Sequence, residues 1–319
     1  MANPPQLTLR FTILTSLFIL LASFTPIKQT RLPVTLHILG TVQDAGSPHI
    51  GCQRDCCRDL FDQPDLNRMV VSLGLVDHRS GERYLFDATP DFPRQLRMLS
   101  TVAPAAQTNL PDGIFLTHAH IGHYTGLMYL GKEAINAPSI PVYAMPRMLD
   151  FLSDNGPWNQ LVNQGNIRLH GLEEGISIRL NRYLNVTPIR VPHRDEYSET
   201  VGYRIEGPNR SALFIPDIDK WDRWERSIDS MIVTVDYAFL DATFFSGEEI
   251  GYRDIRQIPH PFVIESLERF DHLTPGQKSR VHFIHLNHTN PLLDTASQAY
   301  QTVIDAGYQI AQVGQQFQL

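Results

Sequence analysis

Three histidines at i, i+2 and i+5, His118, His120 and His123, follow directly on the apolar run Gly113-Ile-Phe-Leu-Thr117. A short apolar run of this kind reads as a strand, and the turn beyond it carries several imidazoles to one place. Neutral imidazole is the commonest metal ligand among side chains. Packing gives no reason for three within six residues, so the cluster reads as metal-binding. Other apolar runs end on similar groups: His193 closes 184–193, Asp217 closes 211–217 and His285 closes 281–285. Active groups gather where loops leave the ends of a rigid sheet. These strand ends therefore define one candidate centre.

The chain of 319 residues is long enough for a large core in one or two domains. Its 42% hydrophobic and 19% charged residues are globular values. A formal net charge of −7 argues against a general nucleic-acid binder and leaves a small-molecule substrate as the expected partner. Segments 34–40, 70–76, 84–90, 140–144, 176–180, 201–205 and 237–241 also read as strands, and 125–133 and 145–152 as helices. Hairpins mixed with helices predict two packed sheets with outer helices. No phosphate-binding glycine loop, nucleophile elbow or paired-carboxylate glycosidase pattern is present in the sequence.

The amino-terminal residues 1–30 stand apart from this pattern. Arg10 precedes an uncharged run over 11–24, short for a bilayer span but suited to a signal-peptide core behind a positive flank. The small-residue cleavage signal at Leu20-Leu-Ala22 is weak, which leaves an uncleaved membrane anchor as an alternative and a buried helix as the plainer one. The expectation is an export signal or anchor over 1–30, a catalytic domain over 31–319, and a periplasmic, extracellular or membrane-anchored location.

The ordered set His118-Ala-His120-Ile-Gly-His123, His193, Asp217 and His285 resembles the metallo-β-lactamase superfamily, whose signature is His-x-His-x-Asp-His followed by a later His, Asp and His. The likeness runs over about residues 34 to 319 and implies an α/β fold, the four-layer αββα sandwich. Within the superfamily the chain is most similar to the pyrroloquinoline quinone biosynthesis B family. That likeness rests on Leu39-Gly-Thr-Val-Gln-Asp-Ala-Gly-Ser-Pro48, Thr125-Gly-Leu127, the cysteine cluster and His285-Leu-Asn-His-Thr-Asn-Pro-Leu292. The resemblance implies a first metal on His118, His120 and His193, a bridging Asp217, and a second metal on His123 and His285. Asp217 and His260 are the candidates for catalytic roles, His260 because its place between two prolines suits a loop facing the cleft. Gly122 stands where the family has its aspartate. One metal, or a weakly filled second position, is then expected, with Asp219 as a substitute and Gly122→Asp expected to restore the second site. Asp87 and Asp241, each closing an apolar run, read as carboxylates that orient an imidazole or cap a turn.

Cys52, Cys56 and Cys57 lie within six residues, and an odd number excludes a complete disulfide set. Such a loop suits thiolate ligation of zinc. In phosphodiesterase relatives of the superfamily a structural zinc takes three cysteines and a histidine just beyond the last active-site histidine. That resemblance implies His288 as the fourth ligand, with His49 the alternative. The expected cofactors are thus a structural Zn2+ and one or two active-site divalent ions, Zn2+, Fe2+ or Mn2+, between which His and Asp ligands do not choose. The expected function is a metal-dependent hydrolase acting through metal-activated water on phosphodiester, ester or lactam bonds. An iron-dependent oxygenase of quinone-cofactor biosynthesis and a non-catalytic exported metal-binding protein are the alternatives.

Overall fold

The computed structural model describes residues 1–2, 34–103, 108–251 and 254–319. The proposed signal or anchor segment lies outside the described residues. Among those described, no helix is long and apolar enough to cross a membrane.

Strands alternate their side chains between two faces, and here both faces are apolar because each sheet is covered twice. In β1 (Val34–Gly40), Val34, Leu36 and Ile38 enter the central core while Leu39 enters an outer one. β4 (Gly113–Phe115) splits likewise, with Phe115 central and Ile114 outer. In β10 (Ser211–Ile215), Ala212 and Phe214 point inward, Leu213 and Ile215 outward.

The first sheet runs β14-β1-β2-β3-β4-β5-β6. It adds β2 (Ser72–Asp77), β3 (Arg83–Phe86), β5 (Ile140–Ala144), β6 (Ile167–Gly171) and β14 (Gln316–Gln318). The second runs β13-β12-β11-β10-β9-β8-β7. Its members are β7 (Ile178–Arg179), β8 (Asn185–Arg190), β9 (Val201–Glu206), β11 (Tyr237–Asp241), β12 (Val281–Ile284) and β13 (Gln309–Ile310). Helices Phe92–Val102 and Pro146–Asp154 cover the first sheet through Phe92, Leu99, Met148 and Leu152. Helices Val263–Arg269 and Gln298–Asp305 cover the second through Val263 and Val303. The result is the four-layer αββα sandwich.

The direction of the strands decides where function can sit. β3, β4, β5 and β6 are mutually parallel, as are β10, β11, β12 and β13. β1 is antiparallel to β2, and β2 to β3, so β1 runs with β3. By the same count β8 runs with β10. The carboxyl ends of β1, β3, β4, β8, β10, β11 and β12 consequently carry the loops that hold Asp44, Asp87, His118, His193, Asp217, Asp241 and His285.

The segment expected as a helix at 125–133 is a 3-10 helix, Thr125–Leu130. Helix Phe92–Val102, opened by Pro93 at a position that suits the first turn, has no counterpart in the sequence reading.

His282 sits in β12 between Phe239 and Phe317, with ring centroids 5.2 and 4.9 Å away. Burial pushes it down to about 4, and its Nδ1 has no partner. An unfolded histidine protonates near 6.5, so below that pH the unfolded chain gains a proton that the folded chain refuses. Stability from this group is therefore present at pH 7 and is lost as pH falls towards 4. We predict that His282→Phe gains about 3 kcal/mol relative to wild type between pH 7 and pH 4. Urea unfolding at several pH values checks this, and a difference constant with pH would refute it.

Candidate metal centre

Four imidazoles and one carboxylate converge at the shared sheet edge. His118, His120, His193 and Asp217 place one ligand atom each within 4.8 Å of one another. His118 Nε2 lies 3.3 Å and His193 Nε2 3.2 Å from Asp217 oxygens, and His120 Nδ1 lies 3.8 Å from one. His123 Nε2 comes within 3.9 Å of the same carboxylate. Asp217 is 3% exposed. The Nε2 atoms of His118, His123, His193 and His285 and Asp217 Oδ1 are buried with no hydrogen-bond partner. Buried polar atoms are otherwise almost always bonded. Lone pairs from several directions facing one carboxylate fit a divalent cation, so the residues suit the metal that the sequence pattern calls for.

A second ring of groups sets which nitrogen each ring presents. Asp87 Oδ1 accepts hydrogen bonds from the Thr117 amide and hydroxyl at 2.8 and 2.9 Å. His118 Nδ1 can then donate to the Thr117 oxygen, 2.9 Å away, and His123 Nδ1 donates to Asp87 Oδ2 at 2.8 Å. The other half repeats the device. Thr243 donates to Asp241 Oδ1 at 2.7 Å, His285 Nδ1 donates to Thr243 Oγ1 at 2.8 Å, and His260 Nδ1 donates to Asp241 Oδ2 at 2.9 Å. For His118, His123 and His285 this leaves Nε2 unpartnered, the usual support of metal-ligating imidazoles, whereas His260 Nδ1 lies between Asp241 and Asp217, 3.2 Å from Asp217 Oδ1. Asp87 and His285 adopt positive φ, 66° and 67°. For residues other than glycine this conformation is strained, and such strain clusters at functional sites.

The charges follow from these contacts. Burial, reinforced by neighbouring His123, holds His118 well below its ordinary value and so neutral. Burial acts the same way on His123, but Asp87 overrides it and lifts His123 to about 9, so a cation at its Nε2 must displace a proton. Asp241 and Asp217 lift His260 to about 10 against its burial. Despite its own burial, Asp217 is held well below the usual carboxylate range by His193, His260 and His285.

The structure thus brings together His118, His120, His123, His193, Asp217, His260 and His285. The expected substitute Asp219 stands elsewhere: its carboxylate pairs with Arg223 at 2.6 Å, and it joins no ligand group among the described residues. The expected benefit of Gly122→Asp also meets an obstacle. A Cβ at Gly122 would fall 2.2 Å from the Asp44 Cβ and 2.6 Å from its Cα. Thr117, Thr243 and Asp44 went unrecognised in the sequence. The two threonines follow Asp-containing or apolar strand ends, and nothing local marks a threonine as a relay.

Cys52, Cys56, Cys57 and His288 form a separate group with ligand atoms within 4.8 Å of one another. His288 Nδ1 lies 3.3 Å from Cys57 Sγ and 3.6 Å from Cys56 Sγ. The sulfurs are 3.9 Å apart for Cys52–Cys56 and 3.8 Å for Cys56–Cys57, so the thiols are free. Burial and the adjacent thiols push Cys56 up to about 12, so packed thiolates here call for a cation. Burial brings His288 down to about 4, which keeps it in the neutral, ligating form. His49 is outside the group: its ring stacks on His288 at 4.5 Å and its Nδ1 meets the Ile50 carbonyl at 2.9 Å.

A αββα sandwich with metal-ligand histidines at one sheet edge defines a class, and a family model for the beta-lactamase superfamily domain matches residues 82–285. The chain belongs to the beta-lactamase superfamily. Coenzyme PQQ synthesis protein B of Methylococcus capsulatus is 25% identical over 308 residues, covering 88% of this chain and 98% of the relative. The protein of the same name from Xanthomonas axonopodis pv. citri is 24% identical, covering 87% and 97%. Among solved structures, Zn(2+)-bound PqqB from Methylobacterium extorquens superposes with a TM-score of 0.74 at 20% identity, covering 89% of this chain and 100% of that one. A diphosphatase from the PhnP family gives 0.63 at 22%, covering 89% and 96%.

We predict that Cys56→Ser removes one zinc per chain and lowers thermal stability, because the free energy of structural metal binding is folding free energy. Elemental analysis alongside calorimetry checks it. Unchanged zinc and unchanged melting would overturn the structural role.

Proposed function

We propose that this chain is a metal-dependent hydrolase of small molecules, cleaving a phosphodiester, ester or lactam bond. The observation that carries the reading is the set of four buried, unpartnered Nε2 atoms, three of which, on His118, His123 and His193, lie within 3.9 Å of Asp217. A divalent ion held by His118, His120, His193 and Asp217 supplies a Lewis acid and a bound water acidified to near neutrality.

The chain's own groups do the rest. Asp217, held ionised by three neighbouring imidazoles, would keep negative charge at the centre and orient the attacking water as a hydrogen-bond acceptor. His260 has Nδ1 fixed on Asp241, and this leaves Nε2 to give a proton to the leaving group. Its Nδ1 also lies 3.2 Å from Asp217 Oδ1, and its side chain is 10% exposed. Beside His193 lies a cavity of about 550 Å³ lined in part by Arg190, Arg223, Arg226 and Trp224, a size that suits a small ligand. Its charged rim favours a polar substrate over an apolar one. The diphosphatase of the PhnP family, a structural neighbour, supports the phosphoester member of the range.

A second reading, an iron-dependent oxygenation in quinone-cofactor formation, draws on the near full-length likeness to the PQQ synthesis proteins for its pathway alone. Turnover that requires O2 and Fe2+ selects it. Turnover of ester panels without O2 selects hydrolysis.

We expect His120→Ala to lower hydrolysis by roughly 100-fold or more while leaving the melting temperature within a few degrees, since metal-site changes act at that scale. Measurement against bis(p-nitrophenyl) phosphate, carboxyl esters and lactams checks this. Equal activity of the variant on every responsive substrate would sink the assignment. Residues 1–30 we propose to be an export signal or anchor, which N-terminal sequencing and fractionation of the native protein test. An intact, cytoplasmic chain would reject it.

A further inference from the structure

The superfamily takes one carboxylate of its second metal position from the residue before the last histidine of the first motif. Here that residue is Gly122, and Gly122 lies against Asp44. A Cβ added at Gly122 would meet the Asp44 Cβ at 2.2 Å, its Cα at 2.6 Å and its carbonyl oxygen at 2.7 Å. Real Cβ contacts do not come so close, and two of the three atoms are backbone. The glycine is therefore a requirement of the path taken by the loop after β1. It is not an empty place waiting for a side chain.

That path brings a carboxylate to the same histidines. One oxygen of half-buried Asp44 and one ring nitrogen each of His123 and His285 lie within 4.8 Å of one another. Both rings are fully buried. Their Nδ1 atoms are bonded to Asp87 and Thr243, and both Nε2 atoms have no partner. The unpartnered nitrogens are evidence for a cation independent of the acidic residue.

The loop is anchored where its position matters. Val42 bridges both Val70 and Leu286. The Gln43 amide donates to the Leu286 carbonyl at 2.9 Å, and the Leu286 amide donates to the Thr41 carbonyl at 2.8 Å. Leu286 is the neighbour of His285, so the backbone that carries Asp44 is tied to the backbone that carries its partner imidazole. On the far side of Asp44 the same loop reaches Cys52, Cys56 and Cys57, which meet His288. Asp44 is thus held between two attachments to the 285–288 segment.

We propose that Asp44 is the carboxylate ligand of the second metal position, supplied by the loop after β1 in place of the residue missing at 122. The assignment rests on the metal-dependent reading above. Asp44, His123, His285 and the shared Asp217 then give a hard, oxygen- and nitrogen-rich donor set for a divalent ion.

The test is a Zn2+ titration of the chelator-stripped full chain, counting equivalents and affinities by competition with a chromophoric chelator. Wild type is expected to take three Zn2+. Asp44→Asn keeps the side chain's size and is expected to weaken the weakest of the three at least about 10-fold, leaving the other two unchanged. Gly122→Asp is expected to weaken that same site, because the new side chain must displace the Asp44 loop. Asp44→Asn titrating like wild type overturns the proposal, as does a tighter weak site in Gly122→Asp. A wild type that stops at two equivalents overturns it while leaving the hydrolase reading intact. One equivalent, retained in His120→Ala and lost in Cys56→Ser, removes both.

Discussion

Burying imidazoles and a carboxylate around one point, with their lone pairs aimed at each other, is the constraint on which the rest of this structure depends. Polar atoms taken out of water without partners cost roughly 1–3 kcal/mol each, and an unpaired charge costs more. Four Nε2 atoms and Asp217 Oδ1 carry that cost together. No rearrangement of hydrogen bonds relieves it, because the opposite nitrogens of His118, His123 and His285 are held by Thr117, Asp87 and Thr243. A cation is the compensation the geometry leaves open. The positive φ angles of Asp87 and His285 point the same way, since a rigid scaffold tolerates strain where it fixes chemistry.

The scaffold is rigid because both sheets are sandwiched. Phe86, Phe115, Phe214 and Phe239 fill the seam between them. Burying a side chain of that size stabilises by about 2 kcal/mol. Parallel order within each sheet then forces successive loops to one edge, and the two halves bring the same equipment there. Asp87 with Thr117 orients His118 and His123 on one side. On the other, Asp241 with Thr243 orients His285 and His260. The two similar halves thus present their imidazoles to one shared centre.

The histidine motif was legible because its ligands are contiguous and strand ends mark the others. His118, His120, His123, His193, Asp217 and His285 all announce themselves by residue type at the end of an apolar run. The four layers followed from the mixture of hairpins and helices. Strand β14 was not legible: its Gln-Phe-Gln offers one apolar side chain, and it pairs with β1 across nearly the whole chain. Helix Phe92–Val102 keeps Arg94 and Arg97 on its exposed side and buries Phe92, Gln95 and Leu99, so a polar residue stands at one of its three core positions and weakens the apolar signal. Asp219 looked like a spare carboxylate by proximity in sequence, but its arginine partner one turn on draws it away.

Gly122 shows why a missing ligand cannot be read from its own position. In the sequence it is a deletion of a carboxylate; in space it makes room for the backbone of Asp44, 78 positions earlier. The two residues are alternatives for one volume, and filling both is what the sub-3 Å contacts forbid. The consequence reaches the cysteine cluster. A carboxylate on the first motif moves with β4 and needs nothing from the amino-terminal loop. A carboxylate at Asp44 is only as well placed as that loop, and its distal end meets the rest of the domain through Cys56, Cys57 and His288. One loop thus carries both the Asp44 carboxylate and the cysteine cluster, each facing the 285–288 segment.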